Sequence, residues 1–224
     1  LSGRAVKGDW DYQKNNMHPA IVCFEGASSI GKTTLSEWFS DRYTAVPEVN
    51  LLFERKATEP KYWYHQRQVD RYQMARASPT QSILDGDVFQ PIWYNWACRY
   101  PPEFLSKEET HAFYKSMLAE EKIAFPDLYL HFHVEESVLW KRKERDKTRR
   151  RRNFEKHLRI IKPSRRYFDF LAEETELNVK FVPYTNLHTV RERVATHLER
   201  LEAKAVDGLR VFEQIEDWIS KNTP

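Results

Sequence analysis

Ala20-Ile21-Val22-Cys23-Phe24-Glu25-Gly26-Ala27-Ser28-Ser29-Ile30-Gly31-Lys32-Thr33-Thr34 is the stretch that decides the fold. The apolar run 20–24 predicts a buried strand. Residues 26–33 then fit G-x-x-x-x-G-K-[ST] without a mismatch, between a predicted strand and a predicted helix over 32–43. Both glycines let the backbone turn so that its N–H groups face phosphate oxygens. The helix start adds its positive end. Lys32 is placed to bridge the β- and γ-phosphates, and the Thr33 hydroxyl to ligate Mg²⁺. Gly26, Ala27, Ser28, Ser29, Ile30, Gly31, Lys32, Thr33 and Thr34 are therefore the expected nucleotide contacts, with ATP and Mg²⁺ as the expected donor and metal.

Outward from this loop, strands and helices alternate. Ala45-Val46 reads as a second strand, 82–85 as a third, 127–134 as a fourth and 178–184 as a fifth. Helices are expected over 61–77, 88–99, 107–124 (opened by the capping box of Ser106 and Glu109), from the fourth strand into 141–152, and over 164–176, 187–204 and 209–221. Such alternation predicts a five-stranded parallel sheet with helices on both faces, a three-layer α/β architecture. Residues 1–19 read as a leader or N-terminal arm and 20–224 as a single domain.

Composition narrows the class. Six glycines stand where average usage of roughly 7% would give about 16, which disfavours turn-dense all-β and collagen-like architectures. The net charge of +3 is too small to imply a polyanionic partner. Cys23 and Cys98 alone make neither a disulfide framework nor the usual zinc ligand count, so a reducing compartment, the cytoplasm, is expected. No apolar run reaches 18 residues.

The chain has no N-K-x-D base-reading motif and no D-x-x-G switch, which disfavours a GTPase. A short chain with an arginine cluster well after the loop fits a small-molecule kinase, whose arginine-bearing lid closes over the phosphates and excludes water. In this order of elements the chain resembles the P-loop deoxynucleoside kinases and nucleoside monophosphate kinases over roughly residues 20–200.

That resemblance implies a fold and a set of roles. The fold is the three-layer P-loop kinase fold. Glu48, after the second strand, takes the place of the base that acts on the acceptor hydroxyl. Phe53 has the spacing of an aromatic that packs on the acceptor. Gln66 is the counterpart of a base-reading glutamine, with Gln68 as its rival. Asp85 ends the third strand near Mg²⁺, with Asp87 as a competitor. The relatives often carry Glu-Arg-Ser or Asp-Arg where this chain has Asp85-Gly86-Asp87, so that arginine is missing here. The residues themselves agree in outline, because a carboxylate at the carboxyl end of a parallel strand lies beside the ligand crevice and can accept a proton there. Among the aromatics of 63–96, Phe89 and Trp93 are four apart, share a helix face and are candidates to stack on a flat acceptor.

The basic segment Lys141 to Arg152 occupies the place of the lid, expected near 141–153. Arg142 and Arg145, three apart, share a helix face and are expected at the transferring phosphoryl group, with Arg149 adding a nucleotide contact. The expected activity is transfer of the γ-phosphate of ATP to a small molecule, a nucleoside or nucleotide first. Another hydroxylated small molecule such as an antibiotic, and a polynucleotide end kinase or other nucleic-acid-binding P-loop protein, are the alternatives. No membrane partner is expected, and a homodimer is allowed. His131 and His133 alternate on one strand face without an evident third ligand, so they are expected as buried strand histidines rather than a metal site.

Overall fold

The computed structural model describes residues 19–145, 154–201 and 203–224. Five strands form one sheet: β1 Ile21–Gly26, β2 Thr44–Val46, β3 Ser82–Asp85, β4 Leu128–His133 and β5 Val179–Pro183, in the order β2-β3-β1-β4-β5. Every pairing is parallel; Val22 lies opposite Ile83 on one side and Leu128 on the other. Parallel neighbours need crossovers, and helices supply them. These are α1 Lys32–Trp38, α2 Val49–Leu52, α3 Trp63–Arg76, α4 Gln90–Cys98, α5 Lys107–Ala119, α6 Glu136–Arg145, α7 Phe154–Arg159, α8 Ile161–Glu174, α9 Leu187–Glu199 and α10 Gly208–Lys221.

The sheet separates two cores because successive strand residues face opposite sides. Ile21, Cys23, Leu84 and Tyr129 pack with α3, α4, α5, α8 and α10 through Tyr72, Ile92, Tyr114, Phe168 and Phe212. Val22, Phe24, Ile83, Leu130 and Phe132 pack with α1, α6 and α9 through Leu35, Leu139 and Val190. The three layers expected from the alternation are present. Residues buried on both faces explain why β1 and β4 read as apolar runs rather than alternating ones.

Several boundaries differ from the expectation. The first helix stops at Trp38 rather than 43, and residues 39–42 form turns. α9 ends at Glu199, five residues short of the expected 204. α8 begins three residues early, at Ile161, because Pro163 falls in its first turn, where its missing N–H has no helical acceptor to lose. Gly208 opens α10, one residue before the expected start at 209; the Asp207 side chain caps it by accepting from the Arg210 N–H at 3.1 Å. The capping box of Ser106 and Glu109 is formed as read. α2 and α7, of four and six residues, are too short to show a periodicity in sequence.

Strand order positions the site. From β1 the chain passes first to β2 and β3 on one side and then to β4 and β5 on the other, so the direction of winding reverses beside β1. Ligand crevices in open parallel sheets lie outside the carboxyl ends of the strands at such a reversal. Gly26, Asp85 and His133 end their strands at this edge, and Glu48 and Tyr184 follow theirs.

Candidate active site

One cavity of about 690 Å³ opens at that edge, a size suited to a small ligand. The whole loop from Gly26 to Thr34 lines one half of it. Backbone conformation dictates the residues here. Gly26 has φ 141°, and a Cβ there would lie 2.6 Å from the Phe132 carbonyl oxygen. Gly31 has φ 109°, and its Cβ would meet the Tyr184 hydroxyl at 2.7 Å. Neither position admits a side chain.

Lys32 donates from Nζ to the Gly26 carbonyl at 2.7 Å, folding back over the loop. Desolvation alone would lower its pKa, but the carboxylates of Glu25, Glu48 and Asp85 outweigh it and hold the ammonium above its ordinary value. The Thr33 hydroxyl donates to Asp85 Oδ2 at 2.7 Å. Asp85 Oδ1 is buried without a hydrogen-bond partner, and burial raises the carboxyl pKa against the pull of Lys32. Thr33 and Asp85 are thus brought together as the sequence reading expected. Among the described residues no group of three His, Cys, Asp or Glu side chains forms a metal cage.

Arg142 lines the cavity, but its guanidinium is engaged by the protein: Nη1 donates to the Ile30 carbonyl at 2.6 Å and the group lies 4.4 Å above the Tyr184 ring. Arg145, three residues on, is exposed and outside the cavity wall. Arg149 lies outside the described residues, as does most of the basic segment.

The other half of the cavity is built from side chains. Glu48 lines it as the N-cap residue of α2, beside Gly86, whose missing Cβ would stand 3.8 Å from the Glu48 Cγ. Trp93 lines it too, with its indole N–H donated to Asp87 Oδ2 at 3.3 Å. Three expected acceptor contacts are placed elsewhere. Phe53 lies beneath the Arg67 guanidinium at 5.1 Å. Gln66 donates to Asp70 at 3.1 Å, along its own helix. Phe89 is fully buried and stacks on Phe125 at 4.1 Å in the core. None of the three borders the cavity.

The structure adds groups that sequence reasoning did not single out. Gln90, next to Phe89, lines the cavity and accepts from the Tyr64 hydroxyl at 3.0 Å. It is one of only two amide side chains in an aromatic helix, which was the available signal. Arg71 is fully buried and reaches from α3 to the strand ends where the Asp85-Gly86-Asp87 stretch has no arginine. It donates to the carbonyls of Pro47, Asp85 and Gly86 at 2.7, 2.7 and 3.1 Å and to Gln68 at 2.6 Å. Glu25, also buried, accepts from the N–H of Gly26 at 2.7 Å and of Asp87 at 2.9 Å. Asp87 in turn accepts from the Phe89 N–H, the Trp93 indole and the Tyr129 hydroxyl. Burial, then the charge of Glu25, pushes the Asp87 carboxyl up to about 7. These two carboxylates join the phosphate loop to the aromatic wall.

No protein-family model matches this sequence, and no curated protein matches it. Solved structures do. A deoxyadenosine kinase from M. mycoides with bound dCTP superposes with a TM-score of 0.54 at 15% identity, covering 81% of this chain and 100% of that one. A thymidylate kinase from Candida albicans gives 0.55 at 14% identity, covering 84% and 97%. Among the described residues no helix is long and apolar enough to cross a membrane. The five-stranded parallel sheet, its flanking helices and these superpositions give the chain the fold of the P-loop nucleoside and nucleotide kinases.

Proposed function

We propose that this chain is an ATP- and Mg²⁺-dependent kinase that phosphorylates a hydroxyl group of a nucleoside-like small molecule. The observation that carries this reading is one cavity joining the phosphate loop to Glu48 and the aromatic wall of Trp93. ATP binds along residues 26–34, and Lys32 leaves the Gly26 carbonyl to reach the β- and γ-phosphates. Asp85, whose Oδ1 is buried and without a partner beside the Thr33 hydroxyl, would hold a Mg²⁺ ion together with Thr33, directly or through water. The ion, when bound, would neutralise charge on the phosphates.

Glu48 accepts the proton of the acceptor hydroxyl as its oxygen forms the new bond to the γ-phosphorus. The bond from that phosphorus to the bridging oxygen breaks, and ADP leaves with its electron pair. Arg142, once free of the Ile30 carbonyl, faces the transferring group. Trp93, held by Asp87, offers a flat face to the acceptor.

The charges favour a hydroxyl over a phosphate as acceptor. A phosphate acceptor calls for cations at the Glu48 end. Among the described residues, Arg71 at that end is fully engaged by carbonyls and Gln68, and Arg165 of the cavity wall pairs with Asp169 at 2.8 Å. A carboxylate therefore dominates the acceptor end.

ADP release measured over a panel of nucleosides, nucleoside monophosphates and hydroxylated antibiotics tests the reading. Nucleoside-dependent ADP formation that vanishes in Lys32→Ala is the expected result. Turnover with monophosphates alone would overturn the hydroxyl assignment, and no turnover with any acceptor would overturn the kinase.

A further inference from the structure

His131 stands in the middle of β4, on the sheet face that carries Tyr129. It is 5% exposed and forms part of the cavity wall. Neither ring nitrogen has a hydrogen-bond partner. Unpaired buried polar atoms are costly and rare, so two on one ring call for a physical reason.

The neighbours do not supply the missing bonds. Glu25 lies opposite His131 in register on β1, but its two oxygens face the Gly26 and Asp87 N–H groups and neither meets the imidazole. Phe181 lies opposite on β5 and is apolar; its ring is 5.5 Å from the imidazole. Phe168 of α8 packs against the imidazole at 4.8 Å. The Arg165 guanidinium lies over Phe181 and donates to Asp169. On the acceptor side of the cavity, the Trp93 indole N–H and the Gln90 carbonyl oxygen are already committed to Asp87 and Tyr64. His133, two residues along the same face, has Nδ1 unpartnered but is only partly buried.

The ring is also held uncharged. Burial, with the positive charges of Arg165, His133 and Lys32, drives its pKa down to about 3. A neutral imidazole offers one N–H donor and one nitrogen acceptor. Trp93 rests on the same Phe168 ring, at 6.1 Å, so the two rings share one support at the cavity wall.

We propose that His131 is the acceptor-reading residue, one imidazole nitrogen hydrogen-bonding the edge of an uncharged planar heterocycle that lies against Trp93. The identity of this ligand as the phosphoryl acceptor rests on the kinase reading; its recognition does not need turnover. The assignment takes the role that the sequence reading gave to Gln66, which bonds along its own helix instead.

Calorimetric binding of adenosine, deoxycytidine and thymidine, without ATP, compares the wild type with His131→Phe. Phenylalanine keeps a flat ring between Phe168 and Phe181 and removes both nitrogens. The expected result is a tenfold or greater loss of affinity for the best-bound nucleoside, with ATP affinity retained and a melting temperature equal to or above the wild type. His131→Gln, which restores a donor and an acceptor, is expected to recover part of that affinity. Should the phenylalanine variant not fold, His131→Leu makes the same comparison with the glutamine variant. Unchanged nucleoside affinity in the apolar variant would make His131 a structural residue and leave the kinase reading standing. A wild type that binds ATP but none of the three nucleosides would overturn both.

Discussion

The two halves of the cavity are specified in different ways. The phosphate half comes from nine consecutive residues, and its shape is a matter of backbone: Gly26 and Gly31 hold positive φ where no Cβ fits. The other half is assembled from Glu48, Gln90, Trp93 and His131, drawn from the loop after β2, the first turn of α4 and the middle of β4. A binding loop made by one local segment can be exact while everything around it varies. A wall made by side chains from distant segments depends on the phase of each helix and the register of each strand. Different failures are therefore expected when each half is altered.

The largest effect belongs to the phosphate half. Lys32→Ala is expected to lower turnover on the order of a thousandfold, with a wild-type circular dichroism spectrum, because the cation is lost where charge develops. Near-native turnover would remove the loop from the chemistry. Next, Glu48→Gln is expected to cost about a hundredfold in turnover, the range of a lost general base, while ATP affinity measured by calorimetry stays near wild type. Equal losses in turnover and ATP affinity would show that the halves are not separable. Trp93→Phe removes the bond to Asp87 and narrows the aromatic face. About a tenfold loss of acceptor affinity is expected, equivalent to ~1.4 kcal/mol, again without loss of ATP affinity. The smallest effect is expected for Gly86→Ala. There φ is +89° but the nearest atom to the new Cβ is the Glu48 Cγ at 3.8 Å. Strain of about 1 kcal/mol without a clash should lower the melting temperature by about 2–4 °C. A loss as large as that of Gly26→Ala, whose Cβ would strike a carbonyl, would mean that Gly86 is under greater constraint than its surroundings show.

The same contrast governs what the sequence disclosed. The loop, the alternation of strands and helices and the two-sided sheet were legible because each is written in contiguous residues with their own periodicity. Thr33 and Asp85 could be paired because Asp85 ends β3 and Thr33 opens the helix that follows the neighbouring strand β1. Of the opposite wall only Glu48 and Trp93 were legible, for particular reasons. Phe89 and Gln90 differ by one position, and only the placement of α4 decides that the first enters the core and the second the cavity. Gln66 and Gln68 are two apart on α3, and the packing of that helix turns one to Asp70 and the other to Arg71. Arg71 carries no sequence mark of the three bonds it makes to the strand ends. His131 was rightly read as a buried strand histidine, but its unpaired nitrogens are visible only when all its neighbours are placed.

Strand order also has a consequence for how the chain is made. β1, synthesised first, is the central strand, flanked by β3 and β4. Its far edge is closed by β4, and the bond from the Ile21 N–H to Asp127 spans 106 residues. At roughly 5–20 residues per second, the ribosome leaves that edge open for roughly 5–20 s. During this interval an apolar strand with free N–H and C=O groups is available to other nascent chains. β1, which leads into the phosphate loop read from the sequence, is thus made before the other four strands and waits for the fourth to close its edge. Slowing translation between residues 26 and 127 is the manipulation to which the yield of native protein should be most sensitive.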